Sequence, residues 1–335
     1  MKCLIIQPIH EAGLKILRDN KIHCEISINA DMDYIKTIIS PYDAVITRNA
    51  GLTKQCIDNA PNLRVIGNHG VGVNPIDVNH ATTLGIPVIN TPTANSQSVA
   101  EHVFAQIFSL YKRLLDADRS VRGFDEKFRY ENTFHELRRK SIAIIGMGRI
   151  GNLIKSIAEK AFEMKVHSVS RQDIWDYVQL RDKKSQSIKQ GIFVDCRLMS
   201  ILNEVDIVTL NIPLKDETLR LVDSNWFAAM KDNAILINTA RGEIINDEDL
   251  FTALNSNSIA GAALDVFEKE PLPKEHILLG SKNLLLSPHI GGSTVEALIR
   301  TACETATQVV DVLCDKRPKN LVNPESWEIR RIGRK

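Results

Sequence analysis

Three glycines, Gly146, Gly148 and Gly151, stand in the spacing G-x-G-x-x-G. The chemistry that this spacing serves is the grip of a backbone on a pyrophosphate. Gly146 permits the tight turn out of a strand, Gly148 lets the main chain approach the phosphates, and Gly151 lets the next helix pack against the strand. The preceding residues, Ser141 to Ile145, make an apolar run long enough for one buried parallel strand and too short for a buried helix. After the glycines, Ile154, Ile157, Ala158 and Ala161 mark one face of a helix over 152–162. Its free N–H groups and positive dipole end suit an anion. With both elements present, the glycines read as a dinucleotide site rather than an ordinary turn. Farther along, charged groups stand where strands are expected to end: Arg241 in Thr239-Ala240-Arg241-Gly242, Asp265 closing a strand from Gly261, and His289 in SPHIGG. Loops at the carboxyl ends of parallel strands converge on one rim, where such sheets hold their ligands.

The elements that must position these groups alternate along the chain. Strands are expected over 3–6, 23–28, 44–47, 63–67 and 87–90, with helices over 11–18, near 34–39 and over 53–59 between them. Such alternation implies a parallel sheet wrapped by helices. The loop His69–Val78 carries Gly70 and Gly72, whose backbone N–H groups suit a carboxylate; an ordinary turn is the alternative. Ser98 with Glu101 matches a capping box, and apolar positions at 99, 103, 107, 110 and 114 continue a single long helix to Ser120. His102 on it reads as a packing or hydrogen-bonded residue rather than a catalyst. The strand over 166–170 ends in Ser170-Arg171, where a dinucleotide fold usually places an acidic ribose ligand. A missing carboxylate followed by a guanidinium is what a 2′-phosphate requires, so NADP is favoured over NAD. Alternatively Arg171 is a solvated loop residue and Asp173 the ribose ligand. Residues 172–190 are polar without clear period and read as a surface excursion. Strands over 206–210, 234–238, 261–266 and 284–286 follow, then a helix over 294–314 and a basic tail, 316–335, expected to be loosely held.

Composition narrows the classes. A chain of 335 residues with 44% hydrophobic content can bury two cores. A formal charge of +1 argues against a broad nucleic-acid or anionic-membrane footprint. Six scattered cysteines without a C-x-x-C pair point to free thiols in a reducing compartment rather than disulfides or a metal site. The apolar start is too short for a signal peptide, and no run approaches a membrane span, so a cytoplasmic protein is expected.

GMGRIG, NIPL, NTARGEIIN, GAALDVFEKEPLP and SPHIGGST, in this order, together with HGVGVNPID and NTPTANSQSVAEH, resemble the D-isomer-specific 2-hydroxyacid dehydrogenase family. That family includes phosphoglycerate dehydrogenases, glyoxylate/hydroxypyruvate reductases and D-lactate dehydrogenases, and the likeness covers roughly residues 40 to 315. The resemblance implies an α/β chain of two domains, a Rossmann dinucleotide-binding domain (98–289) inserted in a flavodoxin-like substrate domain (1–97 and 290–335). It implies Arg241, Glu270 and His289 as the catalytic set. Hydride addition to a 2-oxo acid needs a cation to hold the carboxylate and polarise the carbonyl, and Arg241 offers a two-point grip. It also needs a proton donor, which His289 supplies, with Glu270 orienting the imidazole and favouring its protonated form.

Carried over likewise, Val71 and Gly72 offer N–H groups to the substrate carboxylate; Arg48 lies in the stretch where the family places polar substrate contacts, a structural role being the alternative. Gly146, Gly148, Arg149, Ile150 and Gly151 hold the pyrophosphate, Ser170 and Arg171 the ribose end. Pro213, Thr218, Thr239, Ala240 and Gly291 line the cofactor cleft, and Asp265 holds the nicotinamide carboxamide. Ser170 departs from the usual aspartate, and Asn74-Pro75 from a common Asp-Asn pair. The expected activity is hydride transfer between NADP(H), or NAD(H), and a small D-specific 2-hydroxy acid, as in a glyoxylate/hydroxypyruvate reductase. An NAD-dependent D-3-phosphoglycerate dehydrogenase and a non-catalytic nicotinamide-sensing corepressor are the alternatives. A homodimer is expected, and no serine-binding regulatory extension.

Overall fold

Short Ile-, Val- and Leu-rich runs punctuated by Gly, Pro and charged residues suit strands buried on both faces, and here they build two all-parallel sheets. The computed structural model describes residues 1–185 and 196–331. The chain forms two units, Met1–Ser96 with Gly292–Lys335, and Gln97–Gly291.

The first unit begins β1 (Lys2–Ile5), α1 (Glu11–Asp19), β2 (His23–Ile26), α2 (Met32–Ile38), β3 (Ala44–Thr47), α3 (Lys54–Asp58), β4 (Val65–Asn68), α4 (Val78–Thr83) and β5 (Val88–Ile89). Strand order is β2-β1-β3-β4-β5, the flavodoxin-like doubly wound order. Leu4 is in register with Val45, and Val45 with Ile66, so one sheet face is a continuous apolar row under Ile35 and Ile57. The other face, through Cys3, Ile5, Ala44 and Ile46, meets Leu17 and Val309.

The second unit runs α5 (Ser96–Tyr111), α6 (Leu114–Arg122), α7 (Phe128–Glu131), β6 (Ser141–Ile145), α8 (Arg149–Phe162), β7 (Lys165–Val169), α9 (Arg171–Ser185), α10 (Arg197–Glu204), β8 (Ile207–Leu210), α11 (Ser224–Ala229), β9 (Ile235–Asn238), α12 (Asp247–Asn255), β10 (Gly261–Leu264) and β11 (Leu284–Leu286). Its strand order is β11-β10-β9-β8-β6-β7. The order reverses at β6, whose carboxyl end lies beside that of β8, the crevice where doubly wound sheets bind ligands. The chain then returns to the first unit through α13 (Val295–Leu313), packed on α1.

Three expectations fail. The long helix after Asn95 starts at Ser96, not at a box on Ser98, and breaks at Arg113. There a left-handed backbone (φ 48°) interrupts the ladder, and the guanidinium turns to Asp116 Oδ2 (3.0 Å) and the Phe128 ring. Residues 172–185 are not a surface excursion but most of α9. Its core-facing positions, Ile174, Tyr177 and Val178 with Leu180 less deeply placed, form a short patch beside Trp226 amid charged residues; residues 186–190 of that expectation lie outside the described residues. The tail is docked rather than loose as far as Arg331. Val322 N donates to Val88 O (2.8 Å), Asn323 Oδ1 accepts from Val88 N (2.7 Å), and Trp327 is buried with Arg330 stacked on its ring. Among the described residues no helix is long and apolar enough to cross a membrane.

Candidate active site

β6 delivers the chain to the rim with all five residues buried, and Gly146 turns it sharply (φ 99°). A Cβ on Gly146 would sit 2.6 Å from Ile212 and 2.7 Å from Asn211 O, and one on Gly151 only 2.2 Å from Gly146 O. Both positions therefore demand glycine for packing. Gly148 differs, because nothing lies within 4 Å of where its Cβ would be. It caps α8 without a side chain, and the first turn of that helix, with Arg149 exposed and Ile150 half-buried, carries no acidic residue. An open, uncapped, positively polarised helix end over a bare backbone fits an anionic pyrophosphate. Beside it, Asn211 Oδ1 is buried with no partner among the described residues. Thr218 Oγ1 donates to Pro213 O (2.8 Å) and accepts from Lys215 N (2.8 Å), holding the turn that leaves β8.

At the end of β7, Ser170 N and Oγ both donate to Asp173 Oδ2 (2.7 Å each), and Arg197 Nη1 reaches the same oxygen at 2.5 Å. Burial would raise the Asp173 carboxyl, but Arg197 and the Ser170 groups together bring it below its usual range. All three of these contacts fall on Oδ2. Arg171 is exposed and touches Glu217 Oε1 at 3.3 Å.

The second cluster is built by three loops of the same unit. Asn238, fully buried at the end of β9, accepts from Ala240 N through Oδ1 (2.9 Å) and donates to Arg241 O through Nδ2 (2.8 Å). This clamps Thr239–Arg241 in an extended loop. Gly242 then lies against the Phe267–Glu268 backbone so closely that a Cβ would meet it at 2.0–2.2 Å. The loop bearing Arg241 is thereby seated on the loop bearing Glu270. Arg241 Nη1 donates to Ala240 O (2.5 Å), and the guanidinium and the Glu270 carboxylate act on each other electrostatically. Burial pulls the Arg241 cation below its ordinary value, against the opposing pull of Glu243 and Glu270.

Glu270 Oε2 lies 2.8 Å from His289 Nδ1, and Oε1 accepts from Phe267 N (3.2 Å). Burial would raise the Glu270 carboxyl. The His289 hydrogen bond and charge, the Phe267 N–H and Arg241 outweigh it and hold the group below the usual carboxylate range. An ionised Glu270 requires the proton on Nδ1, which leaves Nε2 as the atom that exchanges a proton with a ligand. His289 itself has a left-handed backbone (φ 53°). Asp265 is 2% exposed and accepts from Ser287 Oγ (2.6 Å), Ile290 N (2.9 Å) and Gly291 N (2.7 Å).

Arg48, Val71 and Gly72 belong to the other unit. There the carbonyls of Val71 and Gly72 accept from Asn90 and Asn68, while their N–H groups donate to nothing among the described residues. Arg48 Nη1 donates to Pro8 O (3.1 Å), and Pro75 packs on Gly51 with its carbonyl accepting from Leu52 N.

Residues 104–291 match the model of the D-isomer specific 2-hydroxyacid dehydrogenase NAD binding domain. The chain belongs to this family. Among curated members of this dehydrogenase family, the glyoxylate reductase of Thermofilum pendens is 34% identical over 339 residues, covering 98% of this chain and 96% of that protein. The D-3-phosphoglycerate dehydrogenase of Archaeoglobus fulgidus is 33% identical over 98% of this chain, which spans only 60% of that relative's length. A solved NADPH-dependent glyoxylate/hydroxypyruvate reductase from Sinorhizobium meliloti, in complex with citrate, superposes with TM-score 0.79 at 25% identity, covering 97% of this chain and 98% of the other.

Three residues of the site region stand outside those expected from the sequence: Asn238, Arg197 and Ser287. Asn238 had a signal, being an amide that closes an otherwise apolar strand. Arg197 had none, because it meets Asp173 only through the fold.

Proposed function

We propose that this chain is an NADPH-preferring, D-specific reductase of small 2-oxo acids, with glyoxylate and hydroxypyruvate as first substrates. The observation that carries the reading is the His289 Nδ1–Glu270 Oε2 pair at 2.8 Å beside a half-buried Arg241. In this reading 97–291 is the nucleotide unit, and 1–96 with 292–335 supplies substrate contacts.

A bound nicotinamide nucleotide supplies the hydride. Arg241 holds the substrate carboxylate and polarises the neighbouring carbonyl with the guanidinium N–H groups that Ala240 leaves unused. His289 gives its Nε2 proton to the carbonyl oxygen as negative charge develops there, while Glu270 retains the Nδ1 proton and fixes the ring. The spare N–H groups of Val71 and Gly72, with Arg48, offer a second anion contact. Asp265 keeps one lone pair on Oδ2 for a carboxamide N–H. Gly146 to Gly151, with Arg149 and Ile150, cradle the pyrophosphate, lined by Pro213, Thr218, Thr239, Ala240 and Gly291.

Preference for NADPH is supported by Ser170, Arg171 and Arg197 at the end of β7, where the nearby carboxylates Asp173 and Glu217 are paired with Arg197 and Arg171. A homodimer is supported by the apolar side chains that α6, α7 and their connection leave in solvent, Phe124 (90% exposed) and Tyr130 (82%) above all. The chain's cysteines are unpaired, which suits a reducing cytoplasm.

NAD-linked oxidation of D-3-phosphoglycerate is the second reading, favoured by the Archaeoglobus relative. A panel of 2-oxo acids with both nucleotides decides between them. His289→Ala should lower kcat at least about 100-fold with nucleotide Kd nearly unchanged; a fully active variant refutes the assignment. No turnover of either nucleotide by the unaltered protein refutes the enzyme reading in favour of a nicotinamide sensor.

A further inference from the structure

The loop that carries His289 is held by a part-buried polar network that reaches α5. Ser287 Oγ donates to Asp265 Oδ1 at 2.6 Å, so its own hydrogen is spent. The hydroxyl can then only accept, and it does so from Gln106 Nε2 (3.3 Å) and His102 Nε2 (3.2 Å). His102 Nε2 also lies 3.4 Å from Asp265 Oδ1, a second acceptor. Both neighbours of Nε2 therefore require it to carry a proton, which fixes the imidazole orientation.

Asp265 turns this fixed point into loop geometry. It accepts from Ile290 N and Gly291 N, the two residues after His289, while His289 N donates to Ser287 O at 3.0 Å. His289 has a left-handed backbone, uncommon for a residue other than glycine, and hydrogen bonds on both sides of it hold the chain there. A Cβ on Gly291 would lie 2.9 Å from Asp265 Oδ2 and 3.3 Å from His102 Cδ2, so the loop, the aspartate and the α5 imidazole are in direct contact. Asp265 is held below the usual carboxylate range despite burial by its hydrogen bonds to His102, Ser287, Ile290 and Gly291, so the hub stays an acceptor.

We propose that His102 is a positioning residue: through its Nε2–H on Ser287 and Asp265 it holds the loop that aims His289 at the substrate. The inference rests on the reading of His289 as the proton donor.

The test exploits which imidazole nitrogen is used. His102→Gln places an amide N–H near the position of Nε2, whereas His102→Asn reaches only the position of Nδ1. We expect His102→Gln to keep kcat for glyoxylate reduction within about threefold of the unaltered enzyme, and His102→Asn and His102→Leu to lower it about 10- to 100-fold. Nucleotide Kd, from fluorescence titration, should stay within about fivefold in all three, since the pyrophosphate cradle is untouched and only the carboxamide contact proposed for Asp265 adjoins the network. Equal activity of the Gln and Asn variants, high or low, overturns the proposal. So does a loss of kcat matched by a loss of nucleotide affinity. If the Leu variant does not fold, the Gln/Asn pair still decides. His289→Ala measured alongside separates the two readings. An active His289→Ala sinks the assignment of His289, whereas an inactive one with an unaffected His102→Asn sinks only the role of His102.

Discussion

Ser170→Asp is the sharpest probe of the nucleotide site. Its neighbours are water-accessible: Arg171 is largely exposed, and Arg197 has more than half its side chain in solvent. A water-like dielectric is therefore the right one. Two unit charges about 4 Å apart repel by about 1 kcal/mol there. A 2′-phosphate carrying about −1.5 to −2 charges would then lose about 1.5–2 kcal/mol against a new carboxylate. The carboxylate would also compete for Arg197, now bonded to Asp173 at 2.5 Å, and an exposed ion pair of that kind is worth about 0.2–1 kcal/mol. The sum, about 2–3 kcal/mol, weakens NADPH about 30- to 150-fold. NADH has no 2′-phosphate to repel, and its ribose hydroxyl gains an acceptor, so its affinity should hold or rise. Fluorescence titration of both nucleotides with unaltered and Ser170→Asp protein gives the ratio directly, without turnover. Raising salt from about 0.1 to 1 M shortens the screening length from about 10 to 3 Å and should shrink the NADPH penalty. A Kd ratio within threefold of the unaltered protein at low salt would mean that the 2′ end binds elsewhere, and the preference argued from Ser170, Arg171 and Arg197 would fall.

Gly148→Ala should cost under about 1 kcal/mol of stability, because open space surrounds the new methyl, yet weaken either nucleotide by about 1–3 kcal/mol through overpacking against the pyrophosphate. Gly151→Ala should do the reverse in kind, lowering Tm by forcing a Cβ onto Gly146 O; calorimetry with titration separates the two, and equal destabilisation would contradict the cradle. Glu270 has a folded pKa below its ordinary 4.5, so its contribution to stability is present above that value and lost as pH falls through the folded pKa. Tm of the unaltered protein should exceed that of Glu270→Gln at pH 6, with the gap closing below pH 4.5; a gap independent of pH would deny the ion pair. Phe124→Asp with Tyr130→Asp should shift a dimer towards monomer by light scattering with the far-UV spectrum retained, and an unmoved mass would place the dimer contact elsewhere.

What could be read beforehand were features in which the cause lies within a few residues. The strand at Ser141–Ile145 is visible because both its faces are buried, leaving an apolar run with no polar interruption. Gly146 and Gly151 are visible because their constraint is local backbone crowding. The helix α9 was missed for a matching reason. It touches the core through a short patch, Ile174, Tyr177, Val178 and Leu180, and the large partner that makes this sufficient, Trp226, lies about fifty residues away. The break at Arg113 was invisible because its apolar neighbours continue a helical period across it, whereas the left-handed turn is stabilised by Asp116 and Phe128 after the break.

The site divides along the same line. Arg241, Glu270 and His289 stand out as charged groups in loops after strands, yet nothing in their spacing states that the Glu270 carboxylate meets Nδ1 rather than Nε2. That contact depends on Gly242 seating one loop on another and on the left-handed backbone of His289. Asn238 and Asp265 supply those constraints, and they share a property a sequence can display. Each is a polar residue placed where a buried apolar strand runs out, Asn238 as the last residue of β9 and Asp265 as the residue after β10. A side chain buried at such a point must find its partners in the loop that follows or in a neighbouring one. Asn238 finds Ala240 and Arg241, and Asp265 finds Ser287, Ile290 and Gly291. The polar atom that ends the strand thus dictates the shape of the loop that carries the reactive group, so the residues that aim Arg241 and His289 can be sought at strand ends even when they touch no ligand.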